Sequence, residues 1–212
     1  MSAKNIHELN FTKIEIKILK YIFKHYKERY NARQLARILL LNHANVNKLC
    51  NSLAKKNLLM KEEIGNSIYY NFDYQNNLTL NFIEYLLSLE INEFPKHLQV
   101  LLHNLKKFNN QIQLGLVFGS SIKSTSYNDI DIFLMYDKKK TQTIENIKEE
   151  IKNSELVEKP IIYVEISEKD ILENKENKAF QSLISDNLIF HNPSKYIEVI
   201  KWLRQTSTSN GA

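Results

Sequence analysis

The stretch Val117-Phe118-Gly119-Ser120, followed after eight intervening residues by Asp129-Ile130-Asp131-Ile132, decides the fold of the second half of the chain. Apolar residues precede the Gly-Ser pair and surround the two acids, so the pattern predicts one strand over 112–118 and another over 129–136. Side chains alternate between the two faces of a strand, so Asp129 and Asp131 share one face. Two like charges on one face repel each other unless a cation lies between them, and the pair therefore predicts a metal-ion site.

Further elements follow this strand pair along the chain. Apolar residues at helical spacing predict a helix over 141–153, and a nearly continuous apolar run predicts a third strand over Ile161–Ile166. Two more helices are expected over 179–189 and 194–204, with Pro193 just before the second. The second half is thus predicted to be a small mixed sheet flanked by helices.

Residues 98–204 resemble the polymerase-β-like nucleotidyltransferase superfamily, in particular its minimal prokaryotic members. The residues that carry the resemblance are Phe118-Gly119-Ser120 and Asp129-Ile130-Asp131-Ile132. It implies transfer of NMP from an NTP to a hydroxyl group, with Mg²⁺ as the metal, Mn²⁺ as the alternative and ATP as the expected nucleotide. The implied acceptor is a protein side chain, such as that of a partner toxin, or the end of an RNA.

The resemblance also implies roles for individual acids. Asp129 and Asp131 would bind the metal and take part in catalysis, with Glu165 as a third catalytic acid and metal ligand on the neighbouring strand. An acidic side chain in so apolar a strand is costly unless it faces a site. Glu158 and Glu168 are the alternatives for this third position.

Nucleotide binding is assigned to the turn between the two strands. Gly119 lets the backbone approach a phosphate group closely, and the hydroxyl of Ser120 can donate a hydrogen bond to it. Lys123, in the loop that follows, is the candidate for a further phosphate contact. No Gly-x-Ser-x-Gly pattern surrounds Ser120, which argues against a hydrolase nucleophile.

The first third of the chain predicts three helices. Apolar residues at helical spacing indicate the first helix over 12–27, and Asn31 is a suitable N-cap for a short second one. A third helix is expected to start at Asn42 or His43 and to end near Lys56.

A β-hairpin is expected after the third helix. Residues 58–63 and 68–72 flank Ile64-Gly65-Asn66-Ser67, in which Gly-Asn forms the turn. Three helices and a hairpin over residues 10–74 resemble a winged helix-turn-helix of bacterial and archaeal transcription regulators. In that fold the third helix enters the major groove and the wing contacts the DNA backbone or minor groove.

The resemblance therefore assigns nucleic-acid contacts to the third helix and the hairpin. The candidate residues are Asn42, His43, Asn45, Asn47, Lys48, Asn51, Lys61, Asn66 and Ser67. Asn is suited to adenine edges and Lys to phosphates. The alternative is a winged helix that serves only in dimerisation or protein docking.

Charge and composition agree with a nucleic-acid-facing first third. Residues 1–75 contain 13 Lys and Arg against 6 Asp and Glu, whereas the remainder contains 16 against 18. The chain has 212 residues, 43% of them hydrophobic, and no apolar run long enough to cross a membrane. Residues 1–10 lack an apolar secretion signal, so a cytoplasmic location is expected. The single cysteine, Cys50, has helical spacing with apolar neighbours and is expected to be a buried structural thiol, and no His or Cys pair has zinc-site spacing.

These patterns predict an α+β protein with four segments. The segments are a winged helix-turn-helix domain over 1–75, a helical linker over 76–108 suited to a homodimer interface, a nucleotidyltransferase domain over 109–205 and a disordered polar tail over 206–212. The architecture favours a nucleotidyltransferase with DNA-binding capacity, by analogy an antitoxin-like regulator. One alternative is a transcription regulator whose second domain senses nucleotides or is inactive; another is a protein whose winged helix grips structured RNA and presents its end to the catalytic domain.

Overall fold

The computed structural model describes residues 11–154 and 159–208 of this mixed α+β chain. Two compact units divide it, Met1–Leu86 and Leu87–Ala212. Residues 76–108, predicted as a linker, are helical, but they are shared between the two units. Among the described residues, no helix is both long enough and apolar enough to cross a membrane.

The first unit contains helices and one small sheet. Its elements in chain order are α1 (Lys13–Lys24), β1 (Tyr30–Asn31), α2 (Ala32–Ile38), α3 (His43–Lys55), β2 (Leu59–Ile64), β3 (Ser67–Phe72) and α4 (Asn77–Ser88), whose last two residues belong to the second unit. The strand order is β1-β3-β2, and all pairs are antiparallel. The three helices and the hairpin are confirmed, and β1 is an additional strand.

Side-chain caps and one buried acid fix α1 and α3. Thr12 and Glu15 form a capping box at the start of α1. The Glu15 carboxylate is 3% exposed and also accepts hydrogen bonds from Ser52 (3.1 Å) and Lys56 (3.0 Å) at the end of α3. Burial alone would raise the pKa of Glu15, but these bonds outweigh it and lower the pKa. Cys50 of α3 is fully buried, as predicted, and burial raises its pKa to about 12.

The second unit contains a four-stranded sheet with helices before, between and after its strands. Short 3₁₀ turns at Leu89–Asn92, Lys96–Leu98 and Lys106–Phe108 surround the helix α5 (Gln99–Leu105). The remaining regular elements are β4 (Leu114–Phe118), β5 (Ile130–Met135), α6 (Thr141–Lys152), β6 (Ile161–Ile166), α7 (Asp170–Glu173), α8 (Lys178–Ser185), β7 (Asn187–His191) and α9 (Pro193–Thr208).

The sheet has the order β6-β5-β4-β7. β4 is antiparallel to both of its neighbours, whereas β5 and β6 are parallel and are joined through α6. On one face, Ile130, Ile132 and Leu134 of β5 share a buried cluster with Ile144 and Ile151 of α6. The mixed sheet flanked by helices agrees with the predicted fold class.

The predicted ends of the last two helices are wrong. The helix expected over 179–189 ends at Ser185, because the Asn187 side-chain amide donates to the carbonyl groups of Leu183 (2.9 Å) and Ile184 (2.8 Å). The chain then forms β7, which the sequence pattern did not predict. At the other end, α9 extends through Thr208, three residues into the predicted tail, and 209–212 lie outside the described residues.

Candidate functional site

The turn after β4 lies directly against an acid of β5. Phe118 pairs with Asp131, and Gly119 follows with a positive φ of 80°. A Cβ atom placed on Gly119 would lie 2.0 Å from the Asp131 Oδ2 atom. Only glycine combines this backbone conformation with this contact, so the predicted Gly-Ser turn and the predicted acid form one site.

The two predicted metal-binding acids, Asp131 in β5 and Asp129 directly before it, are electrostatically coupled. Both Asp129 and Asp131 are half-buried, and neither forms an ion pair within the described part of the chain. Burial raises the pKa of Asp131, and the negative charge of Asp129 raises it further. An added cation would relieve this repulsion.

The turn also presents the two other predicted nucleotide contacts. Ser120 is exposed, and its carbonyl oxygen accepts from the amides of Lys123 and Ser124, each at 3.0 Å. The Lys123 ammonium lies 3.3 Å from the carboxylate of Asp186, and both side chains are largely exposed. Asp186 was not singled out from the sequence, because it reaches this turn only through the unpredicted strand β7.

A histidine outside the predicted site holds the loop between the two strands. His97 Nε2 lies 2.9 Å from the carbonyl oxygen of Ser121, and its ring stacks on Tyr127 at a centroid distance of 5.1 Å. Ser121 and Tyr127 lie near the two ends of this loop, so His97 contacts both ends. No sequence signal marked it, since its spacing to other titratable residues matches no motif.

The third predicted acid does not face this site. In β6, Glu165 pairs with Leu134, three residues beyond Asp131 in β5. Side chains alternate along a strand, and paired residues share a face, so Glu165 and Asp131 lie on opposite faces of the sheet. The assignment of Glu165 as a catalytic acid and metal ligand beside Asp131 is therefore wrong.

Glu165 has a structural environment instead. It forms an ion pair with Lys148 of α6 and accepts a hydrogen bond from the Tyr136 hydroxyl group at 3.0 Å. The β6 residues on the same face as Asp131 are Ile162, Val164 and Ile166. None of these three can bind a metal ion.

Neither alternative third acid is brought to the site by the described residues. Glu168 follows β6 and pairs with Lys195 at 3.2 Å. Glu158 lies outside the described residues. Within the described part of the chain, no group of three His, Cys, Asp or Glu residues could hold a metal ion. The residues fit a cation held by Asp129 and Asp131 with further ligands from a bound nucleotide, but they do not fit an arrangement of three protein acids.

In the first unit, most of the predicted side chains of α3 are exposed. They include His43, Asn45, Asn47 and Lys48. Asn42 is also exposed, but it is the N-cap, and its Oδ1 accepts from the amide of Asn45 at 3.2 Å. The side-chain oxygen of Asn42 is therefore already engaged in capping α3.

Two further predicted side chains of α3 bond within the unit. Asn51 is half-buried, and its amide donates to the carbonyl oxygen of Asn47 at 2.9 Å. The Oδ1 atom of Asn47 accepts from the Tyr70 hydroxyl group at 3.4 Å. These contacts leave Asn47 and Asn51 less free to contact a base than His43, Asn45 and Lys48.

The hairpin and α2 of this unit also expose polar side chains. Lys61, Asn66 and Ser67 are exposed as predicted, at or near the turn of the hairpin. Arg33 and Arg37 of α2 are also exposed and were not predicted; their spacing opposite the buried Leu35 and Ala36 could have identified them.

No protein-family model, curated protein or solved structure matches the chain. Two groups of residues, one in each unit, are the candidate sites. In the second unit, the turn at Gly119 lies against Asp131, and neither Asp131 nor Asp129 forms an ion pair with a described residue. In the first unit, exposed polar and basic residues occupy α2, α3 and the hairpin.

Proposed function

We propose that the chain is a nucleic-acid-binding regulator whose second unit binds a nucleoside triphosphate with Mg²⁺. The observation that carries the proposal is the Asp131 carboxylate, which lies against the α-carbon of Gly119 and beside the charge of Asp129. A glycine turn next to two acids without cationic partners suits a metal–phosphate ligand, because the ligand supplies both the cation and the remaining metal ligands.

Each residue of this site has a separate task in the proposal. Asp129 and Asp131 hold Mg²⁺, which would neutralise the two carboxylates and the phosphate charges when bound. Gly119 leaves room for the Asp131 carboxylate beside the backbone, and the exposed hydroxyl of Ser120 donates to a phosphate group. Lys123, held only by an exposed ion pair with Asp186, exchanges that partner for a phosphate.

Nucleotide binding is tested by equilibrium dialysis of labelled ATP, CTP, GTP and UTP against the full chain, with Mg²⁺, with Mn²⁺ or with EDTA. We expect metal-dependent binding, with ATP preferred, that is lost in the Asp129→Ala/Asp131→Ala variant. Glu165→Gln is the matched control, since it removes an acid from the opposite face. Binding that survives the double substitution, or that EDTA does not reduce, would contradict the proposal.

Nucleic-acid binding by the first unit is supported by the exposure of His43, Asn45 and Lys48 on α3, together with Lys61 on the hairpin. Arg33 and Arg37 add positive charge on α2. Basic side chains neutralise phosphates, whereas Asn and His can contact base edges. DNA is the favoured target, because the exposed face of one helix suits the major groove, which A-form RNA does not open to side chains.

The DNA proposal is tested by fluorescence anisotropy with duplex DNA from upstream of the gene and with RNA of the same sequence. We expect DNA binding that weakens steeply with salt and falls about tenfold or more in the Asn45→Ala/Lys48→Ala variant. Lys139→Ala, an exposed lysine of the second unit, is the charge-matched control. Salt-insensitive retention, or equal losses in both variants, would argue against a groove-reading role for α3.

A second candidate function is NMP transfer to a hydroxyl group of a protein, such as a partner toxin, or of an RNA. It is favoured by the two acids at the start of a strand beside a Gly-Ser turn, which is the arrangement that metal-assisted phosphoryl chemistry uses. It is disfavoured by the apolar Ile162, Val164 and Ile166, which occupy the face where a third acid would be needed.

Transfer is separated from binding by incubating the protein with α-labelled NTPs, Mg²⁺ and cell extract. Label on a protein band identifies a protein acceptor, and label on RNA identifies an RNA acceptor. Metal-dependent nucleotide binding without label supports the regulator that only senses nucleotides. Labelling that persists in Asp129→Ala/Asp131→Ala would assign the activity to other residues.

A further inference from the structure

The two outer strands of the four-stranded sheet differ in whether other groups cover their outer edges. β7 is covered: the amide of Ile189 donates to the carboxylate of Glu90 at 3.2 Å, and Glu90 is 1% exposed. The pairing of β4 with β7 also shifts register between Gly115 and Leu116. Covering groups and irregularities of this kind prevent a strand edge from pairing with another chain.

β6 leaves its outer edge open. The carbonyl oxygens of Pro160 and Ile166 accept from amides in and beside β5, at 2.9 Å and 3.2 Å. Backbone groups of alternate residues point to alternate sides of a strand, so the amides and carbonyls of Ile161, Tyr163 and Glu165 point outward. Within the described ranges, no strand pairs with that side of β6.

The side chains of β6 give this edge little protection. Five of its six residues are apolar or aromatic, and Ile162 is 47% exposed. Its single charged residue, Glu165, is neutralised by Lys148 on the helix side. An open, apolar strand with no free charge of its own is a template for pairing with another strand.

A groove of about 660 Å³ lies between β6 and α6. Its lining residues are Glu145, Lys148, Glu149, Lys152, Lys159, Pro160, Ile161 and Tyr163. Because Lys148 contacts both Glu145 and Glu165, Glu145 of α6 lies toward the end of β6. Lys152 and Lys159 lie toward the start of β6, so the groove has an acidic end and a basic end.

We propose that β6 pairs with β6 of a second copy of this chain, antiparallel about a two-fold axis at Tyr163. Antiparallel pairing brings the basic end of each groove to the acidic end of the other, so the surface is complementary to itself. In this register the outward residues pair only with one another, Ile161 with Glu165 of the second copy and Tyr163 with its equivalent. A shift centred on Val164 would place Ile161 opposite Ser167, whose amide already donates to Asp170 at 2.7 Å.

The dimer is tested by sedimentation equilibrium of the full chain over a concentration series. We expect a monomer–dimer equilibrium whose dissociation constant rises at least tenfold in Ile162→Lys, because the new charge lies beside the paired strands. Leu172→Lys is the control, since Leu172 is 45% exposed on α7, outside the strand. A monomeric wild type, assemblies larger than a dimer, or equal effects of the two substitutions would overturn the proposal.

Cross-linking tests the register separately. The proposed pairing places residue 162 of one copy opposite residue 164 of the other as a non-hydrogen-bonded pair, whose side chains are close enough for a disulfide. An oxidised mixture of Ile162→Cys and Val164→Cys proteins should therefore give a covalent dimer, whereas neither variant should do so alone. The buried Cys50 does not compete. Cross-linking of one variant by itself, or none in the mixture, contradicts this register.

Discussion

Asp131 and Glu165 are acidic residues in neighbouring, mostly apolar strands, yet the sheet gives them opposite roles. Asp131 lies against a glycine turn and beside another acid, and no described residue forms an ion pair with it. Glu165 lies on the other face, where it forms an ion pair with Lys148 and accepts a hydrogen bond from Tyr136. An acid in an apolar strand therefore does not by itself mark a functional site, because the register between strands decides which face of the sheet it lies on and which residues it meets.

The largest expected effect is on the Asp131 side of this comparison. Gly119→Ala should lower the free energy of unfolding by about 3 kcal/mol, because a Cβ would both meet the Asp131 carboxylate and strain the backbone at positive φ. Urea unfolding measures the loss. Gly65→Ala is the matched control: Gly65 also has positive φ but no atom within 4 Å, so only strain of about 1 kcal/mol remains. Equal losses would mean that the contact with Asp131 carries no weight.

Asp131→Asn should remove the stabilisation that the proposed ligand provides. At a ligand concentration of 100 Kd, a binding protein gains about 2.7 kcal/mol of unfolding free energy. We expect Mg²⁺ with ATP to raise the melting temperature of the wild type and to leave that of Asp131→Asn unchanged. An equal rise of the melting temperature in both proteins would mean that Asp131 does not bind the metal.

Glu165→Gln should lower the stability of the protein but leave nucleotide binding unchanged. Removing one partner of a partly buried ion pair leaves Lys148 with Glu145 alone, and we expect a loss of about 1 kcal/mol in urea unfolding with unchanged nucleotide binding. Glu168→Gln, which removes one acid from the more exposed pair with Lys195, should cost under about 0.5 kcal/mol. Loss of nucleotide binding in Glu165→Gln would mean that Glu165 does contribute to the nucleotide site.

The pH dependence of stability should report on the raised pKa of Asp131. The pKa of Asp131 is raised above its ordinary 3.8, so the folded chain binds this proton more tightly than the unfolded chain does. Its favourable contribution is complete below pH 3.8 and is lost as the pH rises through the raised pKa. Without metal, the wild type should therefore lose stability relative to Asp131→Asn over this window, by under about 1 kcal/mol after solvent screening. A constant difference between the two proteins would contradict the raised pKa of Asp131, which burial and the charge of Asp129 together produce.

The smallest expected effect is on Lys123. Its ion pair with Asp186 is exposed, so Lys123→Ala should change the free energy of unfolding by less than about 0.5 kcal/mol. Nucleotide affinity should fall about threefold through the loss of one screened phosphate contact. Dialysis at two salt concentrations, with Lys139→Ala as the control, checks whether this loss shrinks as salt rises.

Structural features that depend on residues close together in the chain could be predicted from the sequence. The strand Ile161–Ile166 has the predicted ends, and the Gly-Ser turn with its two acids forms one site because Phe118 and Asp131 pair within a short connection. The side of the sheet that Glu165 faces depends on a register between strands separated by α6, which no local pattern encodes.

The missed strand β7 has a related cause. Leu183, Ile184 and Leu188 keep a helical spacing, but the Asn187 side chain bonds the last carbonyl groups of α8 and ends it. The position of Asp186 beside Lys123 follows from that turn, so it was also beyond sequence reasoning. Similarly, the hydrogen bonds of Asn47 and Asn51 depend on packing against Tyr70 and along α3.

The burial of Cys50 has a practical consequence. It is the chain's single cysteine, and with a pKa of about 12 its reactive thiolate is nearly absent at neutral pH while the first unit stays folded. Alkylation by a thiol reagent then proceeds mainly through transient opening of that unit, and its rate at low reagent concentration gives the free energy of opening. The wild-type protein thus carries an intrinsic probe that reports on one unit without any engineered label.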